Sequence, residues 1–121
     1  MELLADFGWT DKGSPVRVMS FSITALQRVQ RLAPAIPKVM LIEKAHHWPM
    51  VRRAVGKGWI IGPGIGELRA HPGLGRHLRL ADREIHVWTV NTAEDLQLCL
   101  DLGATAVISD KPAYMLELLG V

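Results

Sequence analysis

Five short apolar runs recur along the chain at a regular interval, and this spacing constrains the fold more than any other feature. The runs begin near residues 16, 38, 59, 85 and 105, so 20 to 26 residues separate each one from the next. Helix-like apolar spacing fills the intervals, and strands that alternate with helices favour right-handed parallel βαβ units. Little polar–apolar alternation within the runs is typical of strands covered on both faces. The sequence therefore predicts an α/β fold with a parallel sheet.

Capping residues, prolines and glycines mark the ends of the intervening helices. Helices are predicted over residues 22–33, 49–55, 92–103 and 112–119, with one or two irregular pieces over 65–83. Ser22 and Thr24 are alternative caps for the first helix. In the helix over 92–103, three-to-four spacing predicts a buried stripe of Ala93, Leu96, Cys99 and Leu100. Leu3, Leu4 and Phe7 resemble the tail of a further helix.

Composition restricts the class of protein. The 121 residues are 49% hydrophobic and 21% charged, which is typical of one globular domain spanning residues 1–121. The net charge of +2 comes from scattered basic residues, so we expect no nucleic-acid surface. Cys99 is the single cysteine, which excludes an internal disulfide and favours a reducing compartment, the cytoplasm. No apolar run approaches the roughly 18 residues needed to span a bilayer.

Candidate binding residues follow the predicted strands, because ligands of parallel α/β folds meet the carboxyl ends of the strands. Phe21 and Trp88 stand at two such ends and are either walls of a pocket or aromatic residues of the core. Asp110 either contacts a ligand or caps the helix that follows, which is the interpretation we favour. Asn91 is a further candidate, with a turn position as its alternative.

Several of these segments also carry a family signature. The matching pieces are HVWTVN at 86–91, GATAVISDKP at 103–112, VRVMSF at 16–21, VMLIEK at 39–44 and IGPGI at 61–65. In order and spacing they resemble the C-terminal half of the glycerophosphodiester phosphodiesterases, which are (β/α)₈ TIM barrels. The resemblance implies an incomplete barrel containing about strands 5 to 8. For the intact enzyme it implies hydrolysis of glycerophosphodiesters to glycerol 3-phosphate and an alcohol, in glycerophospholipid metabolism.

The catalytic residues of that family belong to the half barrel that this sequence does not match. They include a His-Arg-Gly, a later histidine and acidic residues that hold a divalent metal, among them a Glu-x-Lys. Glu43 and Lys44 look similar, but they follow the VRVMSF strand where the family pattern places them before it. We therefore predict no catalytic or metal-binding residue in this chain and expect no hydrolysis by it alone. Mg²⁺ or Ca²⁺ is implied only for the complete barrel.

The partner implied by the resemblance is an N-terminal half barrel. An alternative is a non-catalytic association module, because a half barrel leaves two edge strands and an apolar face that favour pairing with a second copy. A third hypothesis is a small nucleotide-binding α/β protein that uses the glycines of GPGIG at 62–66, although the third glycine of G-x-G-x-x-G falls on Glu67. His46 and His47 are adjacent and lack metal-ligand spacing.

Overall fold

The computed structural model describes residues 17–120. Within this range the strands are β1 (Val18–Ser20), β2 (Lys38–Ile42), β3 (Ile60–Pro63), β4 (His86–Trp88) and β5 (Ala106–Ile108). The helices are α1 (Ile23–Leu32), α2 (Trp48–Ala54), α3 (Ile65–Ala70), α4 (Pro72–Leu80), α5 (Ala93–Leu102) and α6 (Pro112–Leu118), and a 3₁₀ turn, Ala45–His47, precedes α2. Each predicted apolar run is a strand. The helix tail predicted at Leu3, Leu4 and Phe7 lies outside the described residues.

The strands lie side by side in the order in which they occur in the chain, and every pairing between them is parallel. β1 pairs with β2 and β2 with β3, while β4 pairs with β5. Two parallel bridges, Ile61 to Ile85 and Gly64 to Trp88, connect β3 with β4. This sequential order is that of a (β/α)₈ barrel. Over residues 17–120 the strands do not close a barrel, so the predicted α/β fold with an incomplete barrel is confirmed.

The main hydrophobic core lies between the sheet and its helices. From the strands it takes Met40, Ile42, Ile61 and Val87, from the residue before β4 it takes Ile85, and from the helices Leu26, Leu68, Leu78, Leu96 and Met115. The opposite face of the sheet would line the interior of a complete barrel. The strand register places Met19 and Ile108 on that face, where they are 42% and 36% exposed, so its two outer strands present apolar side chains to solvent.

Local capping follows the sequence, whereas the buried stripe of α5 differs from the prediction. Ser22, not Thr24, caps α1 by accepting a hydrogen bond from the Ala25 amide at 3.2 Å. In α5, Leu96 and Cys99 are buried as predicted, but Leu100 is exposed, as is Ala93. The helix is rotated about its axis so that its inward face includes Asp95, whose carboxylate accepts a 2.6 Å hydrogen bond from Arg69. The ion pair gives the buried carboxylate of Asp95 a charged partner on α3.

None of the helices in residues 17–120 is both long and apolar enough to cross a bilayer.

The buried thiol in α5 gives the stability of the fold a predictable dependence on pH. Burial and, secondarily, the neighbouring Asp95 carboxylate raise the pKa of Cys99 from 9.0 to about 11. The unfolded chain therefore loses this proton near pH 9, while the folded chain keeps it until about pH 11. The contribution of the thiol to stability is fully present below pH 9 and is lost as the pH rises to about 11.

We expect the free energy of unfolding of the wild type to fall more steeply between pH 9 and about 11 than that of Cys99→Ala. Urea denaturation at several pH values in this range measures both slopes. The alanine variant serves as the reference for all other groups that titrate there, so parallel profiles would contradict the assignment.

Candidate substrate-binding site

Phe21 and Trp88, the two aromatic candidates, meet at the carboxyl ends of the strands. Their ring centroids are 5.8 Å apart with an interplanar angle of 87°, an edge-to-face arrangement that aromatic pairs favour. Phe21 directly follows β1 and Trp88 ends β4, so three strand spacings, or about 14 Å in a flat sheet, separate their positions. The sheet must therefore curve, as a barrel wall does, to bring the two rings together.

The Trp88 indole is anchored across β3. Its Nε1 donates a hydrogen bond to the Gly62 carbonyl oxygen at 2.7 Å, which satisfies the only polar atom of the ring. The far edge of the indole lies over Gly64, where an added Cβ would come within 3.2 Å of Cη2. The N–H of Trp88 is thus satisfied against the sheet while its partly exposed ring faces Phe21, and its role as a pocket wall stays a prediction.

The glycines of the GPGIG segment have packing roles in this arrangement. A Cβ at Gly62 would approach the Leu41 side chain to 2.8 Å, and one at Gly64 would press on Trp88. Gly62 lies in β3, and Gly64 occupies the position before α3. Close packing accounts for both glycines without a bound phosphate.

Asn91 and Asp110 tie together the loops that follow β4 and β5. The Asn91 side-chain oxygen accepts hydrogen bonds from the Asp110 amide at 2.9 Å and from the Ser109 hydroxyl at 3.0 Å. Its Nδ2 donates to the Asp110 carboxylate at 3.3 Å. Asn91 is therefore a link between two loops, a role that its local turn signal does not indicate.

The prediction that Asp110 caps the last helix is wrong. Helix α6 begins at Pro112, Lys111 occupies the cap position, and no side chain forms a capping hydrogen bond there. Proline disfavours helical dihedral angles in the residue before it, and Lys111 is non-helical with φ −126° and ψ 62°, so Asp110 lies one residue too early to cap. The Asp110 carboxylate is exposed and bonded to Asn91, and its role as a ligand contact stays a prediction.

Glu67 is a residue of this region that the sequence analysis did not single out. Its carboxylate accepts a 3.0 Å hydrogen bond from the Ala45 amide and lies 3.8 Å from Lys44 Nζ and 3.6 Å from His71 Nε2. It thereby fastens the turn after β2 to α3. The spacing of Glu67 and His71 along one helix is a local signal, but the contact with residues 44 and 45 is formed only by folding.

The part of the chain that the structure describes contains no group of three His, Cys, Asp or Glu residues arranged to hold a metal ion. His46 and His47 stack edge to face with ring centroids 4.4 Å apart. The Glu67 carboxylate is also poorly suited to bind a metal ion, because the Lys44 ammonium lies 3.8 Å from it. The divalent metal implied by the sequence resemblance therefore does not fit the residues present in 17–120.

Comparison with known proteins agrees with the parallel α/β fold and the incomplete barrel described above. The family model described as "Glycerophosphoryl diester phosphodiesterase family" matches residues 2–114. The chain belongs to this family. It is 28% identical over 116 residues to "Probable glycerophosphodiester phosphodiesterase 1" of Mycobacterium tuberculosis, covering 93% of this chain and 42% of the relative. It is 30% identical over 107 residues to a Bacillus subtilis glycerophosphodiester phosphodiesterase, covering 87% of this chain and 36% of that one.

Solved structures show the same fold relationship. A glycerophosphodiester phosphodiesterase from Parabacteroides distasonis superposes with a TM-score of 0.64 at 19% identity, covering 86% of this chain and 42% of the other. A phosphodiesterase from Oleispira antarctica, solved in complex with the product sn-glycerol-3-phosphate, gives 0.67 at 16% identity, with coverages of 90% and 43%. The chain thus spans less than half the length of the curated relatives and solved structures that it matches.

Removing the Asn91 side chain should loosen the loops that follow β4 and β5. In Asn91→Ala, the Asp110 amide and the Ser109 hydroxyl lose their common acceptor, and we expect the free energy of unfolding to fall by about 1–2 kcal/mol. Gln97→Ala removes an amide of the same kind that is exposed and bonds only to Asp101 within its own helix, so its change should stay within about 0.5 kcal/mol. Urea denaturation measures both, and equal losses would contradict the role assigned to Asn91.

Proposed function

We propose that this chain supplies part of the barrel and one wall of the substrate pocket of a glycerophosphodiester phosphodiesterase. The observation that carries the proposal is the Phe21–Trp88 pair at the carboxyl ends of the strands, in a chain that belongs to this family. The complete enzyme would cleave a glycerophosphodiester to sn-glycerol 3-phosphate and an alcohol. The Oleispira antarctica structure, which contains that product, supports this choice of substrate class. This chemistry belongs to glycerophospholipid metabolism, and the reduced thiol of Cys99 favours a cytoplasmic location.

The aromatic pair suits the glycerol portion of the substrate better than its phosphate. Aromatic faces carry partial negative charge, so they favour C–H groups and disfavour an anion. Phe21 is 53% exposed, which leaves most of its ring available for such contact. We infer that the phosphate, the acid–base groups and any Mg²⁺ or Ca²⁺ are bound by strands outside residues 17–120. The described residues thus orient the substrate and exclude water, and they hydrolyse nothing alone.

The number of strands favours one type of partner. A (β/α)₈ barrel has eight strands, and residues 17–120 supply five, so three more would close it. The N-terminal part of a family barrel, whether in the same polypeptide or a separate one, can supply these three. A second copy of the chain would bring five, which makes ten in total and exceeds the barrel. We therefore propose the N-terminal part as the partner and keep self-association as the alternative.

Reconstitution tests the catalytic proposal. The chain is mixed with the N-terminal part of a family barrel, and glycerophosphocholine hydrolysis is followed with Mg²⁺ or Ca²⁺. We expect no activity from the chain alone and measurable activity from the mixture, reduced about 10-fold in kcat/KM by Trp88→Ala because an aromatic contact of roughly 1–1.5 kcal/mol is lost.

Trp88→Phe should retain part of that activity, since it keeps the edge-to-face contact with Phe21. The control Leu80→Ala removes an 83% exposed side chain at the C-terminal end of α4, which lies away from the strand ends, and should behave as the wild type. No activity in any reconstituted barrel, or full activity in Trp88→Ala, would count against the proposal.

Sizing chromatography with light scattering tests the choice of partner. Because β1 and β5 each lack a neighbour on one side among the described strands, we expect the chain and the N-terminal part to form a 1:1 complex. That complex should form at the expense of any homodimer. A chain that stays dimeric in the presence of the N-terminal part would favour the association module instead.

A further inference from the structure

A groove with a volume of about 460 Å³ lies between α4 and α5, among the helices that cover the outer face of the sheet. Its apolar lining, which includes one residue of α3, comprises Leu68, Pro72, Gly75, Leu98 and Leu102. At Gly75 the two helices approach closely, because an added Cβ would come within 3.0 Å of the Leu102 side chain. The volume falls within the range of about 300–1,000 Å³ that is usual for small-molecule sites.

The α4–α5 groove stays open when the barrel is completed. Further strands would join the free edges of β1 and β5, whereas α5 already has α4 on one side and α6 on the other. The groove is also separate from the strand ends, since neither Phe21 nor Trp88 belongs to its lining. A ligand in the groove would therefore be distinct from the substrate of the proposed enzyme.

Most of the charged groups that border the groove already have partners within the fold. Arg69 is paired with Asp95, and Nη1 of Arg79 lies 3.5 Å from the Asp101 backbone carbonyl oxygen. The Asp101 carboxylate accepts a 2.9 Å hydrogen bond from the Gln97 amide in its own helix. The remaining charged residue of the lining is Arg76.

Arg76 supplies a cation that is available to a ligand. It is exposed, and the ion pairs formed within residues 17–120 do not include it. A Cβ at Gly73 would lie 3.7 Å from Nη2 of Arg76, so the guanidinium is located over the first turn of α4. A guanidinium binds a carboxylate through two parallel N–H···O bonds. The groove thus combines an apolar surface with one cation suited to a carboxylate.

This combination fits a single anionic amphiphile better than a protein segment. A stable interface with a protein partner takes about 20–30 residues on each side, which exceeds the parts of α3, α4 and α5 that line the groove. A hydrocarbon chain needs only apolar contact, and one carboxylate needs only one bidentate partner. A linear chain with a terminal carboxylate meets both conditions.

We propose that the α4–α5 groove binds a free fatty acid anion. Its hydrocarbon chain lies against Gly75, Leu98 and Leu102, and its carboxylate pairs with Arg76. The proposal goes beyond the proposed function and does not depend on it, because it involves neither the strand ends nor hydrolysis.

Three ligands that differ in charge or chain length test the groove in the full chain. Decanoate, decan-1-ol and hexanoate are titrated at concentrations below micelle formation while backbone amide resonances are recorded by NMR. We expect decanoate to shift the resonances of residues 68–79 and 98–102. It should bind about 5-fold more tightly than decan-1-ol, which lacks the charge, and about 10-fold more tightly than hexanoate, which has a shorter apolar chain.

Two variants with the same charge change locate the carboxylate. Arg76→Gln should weaken decanoate binding about 5-fold and leave decan-1-ol binding unchanged, so that the two ligands bind equally. The control Arg28→Gln removes an exposed arginine of α1 that does not line the groove, and it should preserve the preference for decanoate.

Equal binding of decanoate and decan-1-ol to the wild type, or an unchanged preference in Arg76→Gln, overturns the proposal. Decanoate shifts confined to residues outside the groove overturn it as well. If decanoate shifts none of the groove resonances while these change with protein concentration, the groove is a contact between copies of the chain and the fatty acid site is rejected.

Discussion

The hydrogen bond from Trp88 to the Gly62 carbonyl is the interaction on which the rest of the site depends. Ladder pairing divides the five strands into groups of three and two, and only isolated bridges connect β3 with β4. The indole crosses that junction, bonds to Gly62 and packs over Gly64. Because the ring is fixed at one end, its other edge is held in position to meet Phe21 from β1. One side chain thus links strands from both groups and fixes the position of the aromatic pair.

Polar side chains at the strand ends mainly fasten loops in this part of the chain. Asn91 joins the loops after β4 and β5, and Glu67 joins the turn after β2 to α3. These hydrogen bonds hold the segments that follow the strands in fixed positions relative to one another. The family of this chain consists of metal-dependent hydrolases, yet the polar residues at its strand ends form no metal site among the described residues. Their role in fastening loops explains why polar residues are present there.

The incomplete barrel and a small pocket beside Phe21 differ in how fully the described residues form them. The inner face is open because β1 and β5 each lack a neighbour on one side among the described strands. A pocket beside Phe21 is formed by β2, the turn that follows it, α2 and the residue after β1. The described residues therefore complete this pocket, whereas they leave the inner face open.

The sequence by itself determined the five strands, the helices between them and most of their caps. These features depend on interactions within three or four residues, such as the bond from the Ala25 amide to Ser22, which local patterns record. It also placed Phe21 and Trp88 at strand ends, because parallel strands have a common direction. Only the tertiary structure decided that the two rings touch, that Glu67 reaches Ala45, and that Leu100 faces solvent. Each of these results depends on the curvature of the sheet and the rotation of helices against it, which are set by residues 20 or more positions apart.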